Sequence, residues 1–522
     1  MVKRIAYLFS GQGTQSKDMG AKLLRSLPRA SKFSQTWDDA REYLHDSYSF
    51  DLNYLVKENP CVLKYRRTPN DPLETKRCSN GLLNFTPFTQ AALLTYHVAL
   101  YNQMERGAGA YGLFAGHSLG EISSLAALGM ISLHDALDCV FKRGWLINSC
   151  VSRNFKGISP FKTIVVNPAR CEISESLFLT IVEAISKPLM EQRAELLEIT
   201  CYNVQNYQYV VSGSDVPLAI LGKILDPGWR RKYFQVDSSS QNSSQKEPSA
   251  FDEQSDRIHE FVGIVRHALS EVDVSLDHMQ RMEIEFHDMM EQATSVSGSP
   301  KRAKRQGRHQ CMSVPRNPEL DNEKKILFTE TLEHDMGLGS FAMDGLKKKP
   351  WFFPVQHGDI PFHSSILNKA THEWEEVLQQ KLSSSDDAYK ILDKVDFIPN
   401  LLGHPLRKDS SVHESIITSL TMENIGETWS KCRSGYPPLN HSVPPMQYKE
   451  MLISLLSKHL SAAVQWSETL SHVIHPSKAA CDEIVEVSPT PLFGRMVSQQ
   501  AKTENIPPKE VRNLEEIILG NI

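Results

Sequence analysis

Residues 111–128 read Y-G-L-F-A-G-H-S-L-G-E-I-S-S-L-A-A-L, and the fold turns on them. Tyr111–Ala115 is a short apolar run of the kind that forms a buried strand. Gly116-His117-Ser118-Leu119-Gly120 follows, and the stretch from Leu119 to Leu128 reads as a helix. A strand, a sharp turn with serine at its tip and a helix are the setting of a nucleophile elbow. The two glycines let the chain turn tightly and let backbone pass close to a substrate. Ser118 would stand at a helix N-terminus, whose field favours an alkoxide and a developing oxyanion. The N–H of Leu119 is placed to donate to that oxyanion. The pattern alone is weak, since a random chain of this length holds it with a chance of roughly one in five. Its strand–helix setting gives it weight.

Outward from the elbow, K-R-I-A-Y-L-F at residues 3–9 reads as a buried strand ending at a Gly turn. Residues 84–104 read as a helix, with Thr86 as N-cap and Pro87 in the first turn, and residues 133–149 as another. Strand–turn–helix order with parallel connections predicts an α/β fold. From Phe161 the pattern changes. Lys162–Asn167 reads as a strand, 173–196 as a helix, Glu198–Val204 and Gln208–Ser212 as strands, and 215–225 as a helix. With a closing strand near 351–356, this is a ferredoxin-like plan. The expected architecture is a large α/β-hydrolase-like subdomain with a parallel sheet, residues 1–160 and 357–522, carrying an inserted ferredoxin-like α+β subdomain, residues 161–228 and 349–356. Residues 229–348 read as a partly disordered insertion. Within it lie a Ser-rich polar stretch at 236–256, helical spacing at 257–292 and the basic cluster Lys301, Arg302, Lys304, Arg305 and Arg308, read as a solvated surface. Residues 447–471 form an apolar helical stretch with a break near Ala462–Trp466, and 483–488 read as a strand followed by a helix.

The composition excludes several classes. Apolar residues make up 40% and charged residues 23%, ordinary for a soluble globular protein. The net charge of −5 gives no basic field for nucleic acid. No run approaches the roughly eighteen apolar residues that a membrane helix needs. Nine cysteines without a C-x-x-C pair suit neither a disulfide framework nor a zinc site and fit a reducing compartment. No metal site is expected, and the first apolar segment, Ile5–Phe9, is too short for a signal peptide. An intracellular protein is expected.

Further segments carry a resemblance. Ser10-Gly11-Gln12-Gly13-Thr14-Gln15 and Gly116-His117-Ser118-Leu119-Gly120-Glu121 are joined by Thr86-Pro87-Phe88-Thr89-Gln90, Arg143-Gly144, Tyr202-Asn203-Val204-Gln205-Asn206 and Gln208–Gly213. Ile360-Pro361-Phe362-His363-Ser364-Ser365, Val464-Gln465-Trp466 and Glu486-Val487-Ser488-Pro489 complete the order. Together these segments resemble the malonyl-CoA:acyl-carrier-protein transacylases, including the malonyl/palmitoyl-transferase domains of fungal fatty acid synthases. The insertion at 229–348 and Ser488, where the family usually has Gly, depart from that pattern.

The resemblance implies Ser118 as nucleophile and His363 as its general base, because a serine hydroxyl is weak until a base takes its proton. It implies Arg143 as the group that binds the malonyl carboxylate, by two parallel charge-assisted hydrogen bonds that lysine cannot reproduce. It further implies Gln12 and Leu119 as oxyanion donors, the Gln465 backbone carbonyl as the orienter of His363, and Phe362 as the malonyl-type residue beside the base. His117, Thr89, Gln90 and Asn203 are expected to brace the pocket. The substrates implied are malonyl-CoA and a phosphopantetheine-carrying acyl carrier protein, with no bound cofactor and a monomeric enzyme in the mitochondrion or the cytoplasm. A broader acyl-CoA transferase, a thioester hydrolase and a non-catalytic carrier-binding scaffold are the alternatives.

Overall fold

The computed structural model describes residues 3–104, 112–154, 157–228, 349–355, 358–384, 389–406, 445–478 and 481–520. The features read at 236–256 and 257–292 and the basic cluster from Lys301 to Arg308 lie outside the described residues. Contacts group the chain into two units. The first is Met1–Asn167, Glu198–Ser212 and Val355–Ile522, and the second is Pro168–Leu197 and Gly213–Pro354.

The first unit is built on a five-stranded parallel sheet. In chain order its strands are β1 (Ile5–Phe9), β4 (Gly112–Gly116), β9 (Asp396–Ile398), β10 (Glu483–Val487) and β11 (Val511–Asn513), after the hairpin β2 (Val62–Tyr65) and β3 (Glu74–Arg77) is set aside. The spatial order is β11-β10-β1-β4-β9. β1 is central and aligns Phe9 with Val487 on one side and with Gly116 on the other, so these strands end level. All five residues of β4 are buried, which is why G-L-F-A-G carries no polar side chain. The hairpin is antiparallel, pairing Val62 with Arg77, and forms its own two-stranded sheet.

The helices before and beside the sheet are α1 (Ala21–Ser26), α2 (Lys32–Tyr48), α3 (Leu52–Glu58), α4 (Thr86–Gln103), α5 (Leu119–Ala127) and α6 (Leu133–Ser149). α4 is buried from Thr86 to Tyr101 on every side, as an apolar helix without a polar face must be. It packs against α2, α5 and α6. Thr86 is its first residue and Phe85 its N-cap, so the cap expected at Thr86 falls one residue earlier and has no side-chain bond. Pro87 sits in the first turn, where a missing N–H costs nothing.

The β-α-β-β-α order expected after residue 160 is present as β5 (Phe161–Val166), α7 (Glu175–Arg193), β6 (Leu197–Val204), β7 (Gln208–Ser214) and α8 (Asp215–Ile224). β7 lies between β6 and β5, and a short strand β8 (Phe352–Pro354) follows later in the chain. The remaining helices are α9 (Asn368–Lys381), α10 (Pro445–His459), α11 (Trp466–Ile474), α12 (Phe493–Thr503) and α13 (Leu514–Gly520). The break expected near Ala462–Trp466 separates α10 from α11. Among the described residues no helix is long and apolar enough to cross a membrane.

Candidate active site

Three parallel strands deliver the site at their C-terminal ends: β1 leads to Ser10–Gln12, β4 to Ser118 and β9 to Asn400. That edge is where ligands bind in open α/β sheets. Ser118 has φ 53° and ψ −107°, a strained conformation for a residue with a Cβ. Glycine on both sides makes the turn possible. A Cβ at Gly116 would lie 1.9 Å from the carbonyl carbon of Gly120, and one at Gly120 would lie 2.2 Å from the Phe9 oxygen. Neither has room for alanine, so the elbow is sealed against both its own helix and the first strand.

Asn400 holds the turn. Its Nδ2 donates to the Gly116 carbonyl at 2.5 Å and its Oδ1 accepts from the Ser118 N–H at 2.9 Å. Its own N–H donates to Glu121 Oε1 at 2.8 Å, and its carbonyl accepts from Gln465 N–H at 2.8 Å.

The Ser118 hydroxyl lies 2.7 Å from His363 Nε2. His363 follows Pro361 and also sits at positive φ, 59°. Ser364 Oγ donates to the Pro361 carbonyl at 2.6 Å and Ser365 N–H to Glu198 at 2.9 Å, which fixes the loop. His363 Nδ1 donates to the backbone carbonyl of His459 at 2.8 Å. A carbonyl can only accept, so the ring proton is on Nδ1 and Nε2 presents its lone pair to the serine. Burial, aided by nearby His459 and Arg143, holds this imidazole well below the ordinary histidine range, and it is neutral near pH 7.

The carbonyl at His363 corrects one expectation. Gln465 is the N-cap of α11, and its carbonyl takes the first helical bonds, from Thr469 N–H at 3.2 Å and Thr469 Oγ1 at 3.3 Å. His459 is the last residue of α10, where carbonyls lack helical partners. Its carbonyl is therefore available and meets His363.

Arg143 lies on α6 and is 3% exposed. Among the described residues its guanidinium has no hydrogen bond and no carboxylate within 4.0 Å. Burial lowers it to about 10, partly offset by the carboxyl of Glu121, so it remains a cation at neutral pH. Its charge reaches His363, His459 and Glu121.

Leu119 is fully buried at the start of α5. Among the described residues neither its N–H nor that of Gln12 donates a hydrogen bond. Gln12 Nε2 reaches Thr86 Oγ1 at 3.4 Å, and its Oε1 is buried without a partner. Gly11, beside it, abuts the elbow, since a Cβ there would lie 2.7 Å from the His117 carbonyl oxygen. Phe362 packs half-buried against the main core. His117 turns away from Ser118, with Nε2 donating to Asn203 Oδ1 at 2.9 Å and its ring edge-on to Trp466.

Asn400, His459 and Glu121 were not singled out from sequence. Asn400 had a faint signal, the Pro399-Asn400 turn closing the strand Asp396–Ile398. His459 could have been found as the last helical residue before the break.

The acyl transferase domain family matches residues 6–335, more than half of the chain. The chain is 33% identical over 263 residues to the fatty acid synthase subunit beta of Schizosaccharomyces pombe, which is 42% of this chain and 12% of that protein. It is 30% identical over 247 residues to the fatty acid synthase subunit beta of Saccharomyces cerevisiae, 40% of this chain and 12% of that protein. The chain thus matches about an eighth of the length of these curated relatives. Among solved structures it resembles a malonyl-transacylase in complex with its type II PKS acyl-carrier protein, PlMCAT:AntF, with TM-score 0.51, 14% identity and coverage of 99% of this chain and 100% of that one. It resembles the MCAT of Streptococcus pneumoniae with TM-score 0.51, 16% identity and coverage of 99% and 100%. Both likenesses are of fold. With the serine elbow, the family match and the shared fold together, the chain belongs to the acyl transferase domain family.

Proposed function

We propose that the chain moves a malonyl group from malonyl-CoA to the phosphopantetheine thiol of an acyl carrier protein, through an ester on Ser118. One observation carries the choice of acyl group. Arg143 is a buried cation with no hydrogen bond and no carboxylate within 4.0 Å among the described residues, within electrostatic reach of a histidine that is hydrogen-bonded to Ser118. A buried charge left unpaired costs about 3–5 kcal/mol relative to the paired state. A carboxylate on the acyl group supplies the missing partner, and acetyl cannot.

In the first half-reaction His363 Nε2 takes the Ser118 Oγ proton as the oxygen bonds to the thioester carbonyl carbon. The oxyanion that forms is held by the N–H groups of Leu119 and Gln12, both without other partners among the described residues. Collapse breaks the C–S bond, the proton passes from His363 to sulfur, and coenzyme A leaves as a thiol. The carrier thiol then reverses the sequence: it gives its proton to His363, its sulfur attacks the ester carbon, and the proton returns to Ser118 Oγ as that bond breaks. The fixed Nδ1–H bond to His459 keeps Nε2 aimed at the oxygen throughout. General base catalysis of this kind contributes about 10²–10⁴-fold.

Intact-protein mass spectrometry tests the choice of acyl group. Malonyl-CoA should label the wild type far faster than acetyl-CoA. Arg143→Ala should slow malonyl labelling by roughly a hundredfold or more while sparing acetyl labelling. Equal rates for both thioesters in the wild type would refute the assignment of Arg143.

A further inference from the structure

Behind His363 lies a second layer of ionisable groups that the reaction above does not use. The ring of His459 stacks on that of His363, with centroids 4.5 Å apart and an interplanar angle of 19°. Its Nδ1 stands 2.7 Å from Glu121 Oε2 without the alignment of a hydrogen bond, so among the described residues both that oxygen and His459 Nε2 are buried without a hydrogen-bond partner. Glu121 lies in the first turn of α5, three residues after the nucleophile, and is 1% exposed. Its other oxygen accepts the Asn400 N–H that belongs to the elbow clamp. Glu121 therefore touches both supports of the reacting pair, the clamp on Ser118 and the ring against His363.

Among the described residues, His459 at the end of α10 stands against Glu121 and Arg143 on α6 acts on it through its charge, while His363 from its loop and His117 from the elbow lie beside His459. His117 is engaged with Asn203. His97, on α4, is bound between Ser10 and Ser123. Burial keeps all four of these histidines below the ordinary range, so they are neutral. Among these neighbours Arg143 is thus the one fixed charge. It stands farther than 4.0 Å from the carboxylate yet feels its field, and among the described residues no other anion acts on it.

We infer that Glu121 is the counter-charge of Arg143 in the empty site, and that it takes up a proton, against His459, when an acyl group bearing a carboxylate reaches Arg143. The inference rests on the acyltransferase reading above. An incoming carboxylate neutralises the field of Arg143 that favours ionised Glu121. Two buried anions beside one cation are costly, and adding one proton to Glu121 restores neutrality. Glu121 is suited to this because burial pushes it up to about 7, so in the empty site it ionises just above neutrality. Bound malonyl raises it further, and uptake is then largest above pH 7. An acyl group without a charge leaves Glu121 ionised. Glu121 acts here as a specificity-determining residue, and His459 as the positioning residue between it and His363.

Calorimetry on full-length Ser118→Ala, where no acyl transfer can occur, counts the protons. Binding of malonyl-CoA and of acetyl-CoA is measured at pH 8 in buffers of different ionisation enthalpy. The expected result is uptake approaching one proton per site with malonyl-CoA beyond any seen with acetyl-CoA. Adding Glu121→Gln, which keeps the shape of the protonated acid, should abolish the difference. In the Ser118-containing enzyme the ratio of kcat/KM for malonyl-CoA to that for acetyl-CoA should fall above pH 7, by up to about tenfold per pH unit. In Glu121→Gln that ratio should be flat. Equal proton counts for the two thioesters, or a pH-independent ratio in the wild type, overturn the inference and leave the acyltransferase reading standing. Failure of Ser118→Ala to bind either thioester overturns both. If Glu121→Gln does not fold, the wild-type ratio and the Ser118→Ala proton counts decide alone.

Discussion

Ser118 and His363 both carry side chains at positive φ, 53° and 59°, in a conformation that L residues adopt at a cost. The cost is tolerated because the surroundings overdetermine each position: Asn400 and two sealed glycines at the serine, Pro361 and Glu198 at the histidine loop. The histidine's neutrality has a consequence for pH. Burial depresses its folded pKa, so the base is active above that value and is lost only as pH falls through it. An ordinary histidine, with a pKa of about 6.5, would retain only about a quarter of its base form at pH 6. The kcat/KM for malonyl-CoA is therefore expected not to fall between pH 7.5 and pH 6, which steady-state kinetics across that range can check. A drop that follows a pKa near 6.5 would show that His363 is solvated in the working enzyme. The same sign applies to folding. Protonating buried neutral histidines opposes the native state, so their contribution to stability is fully present above the unfolded-chain value of about 6.5 and is lost as pH falls from there through their depressed folded values.

At the scale of elements, the site is a meeting of strand ends and helix ends. β1, β4 and β9 stop level enough for their following residues to touch, and the carbonyl that aims His363 is left over at the end of α10. Asn400 joins these parts, so Asn400→Ala leaves the Gly116 carbonyl and the Ser118 N–H without their side-chain partner. We expect a loss of about 1–3 kcal/mol, seen as a lower thermal midpoint, together with slower labelling of Ser118. An unchanged midpoint would mean that water or backbone replaces both bonds. Much of this layer was legible in the sequence. Apolar runs ending at glycine marked β1 and β4, and a largely apolar stretch after Pro87 marked α4. β9 and β11 were missed because three-residue strands hold too little period-2 pattern to stand out. The hairpin at 62–77 was missed because its exposed alternation reads as a polar loop. At the site, Ser118, His363 and Arg143 stood in recognisable segments. Gln465 was misread because backbone carbonyls have no sequence signature, and which one is free depends on where a helix ends. Glu121 and His459 were passed over because a pairwise contact 338 positions apart leaves no local trace.

At the scale of the molecule, every residue assigned here belongs to the first unit, although they are drawn from positions 12 to 465. The sheet gathers them, and the segments between can change length without disturbing strand register. The chain belongs to the acyl transferase domain family and matches about an eighth of the length of two fatty acid synthase beta subunits. The central claim is that acyl groups pass through Ser118 to a carrier thiol. The most direct test follows radiolabelled malonyl-CoA mixed with the full chain and a phosphopantetheine-bearing carrier protein, with products resolved as carrier thioester, protein-bound ester and free malonate. Rapid formation of carrier thioester is expected, with a transient ester on Ser118 that disappears in Ser118→Ala, and little free acid. Free malonate as the main product, or undiminished carrier loading by Ser118→Ala, would contradict it.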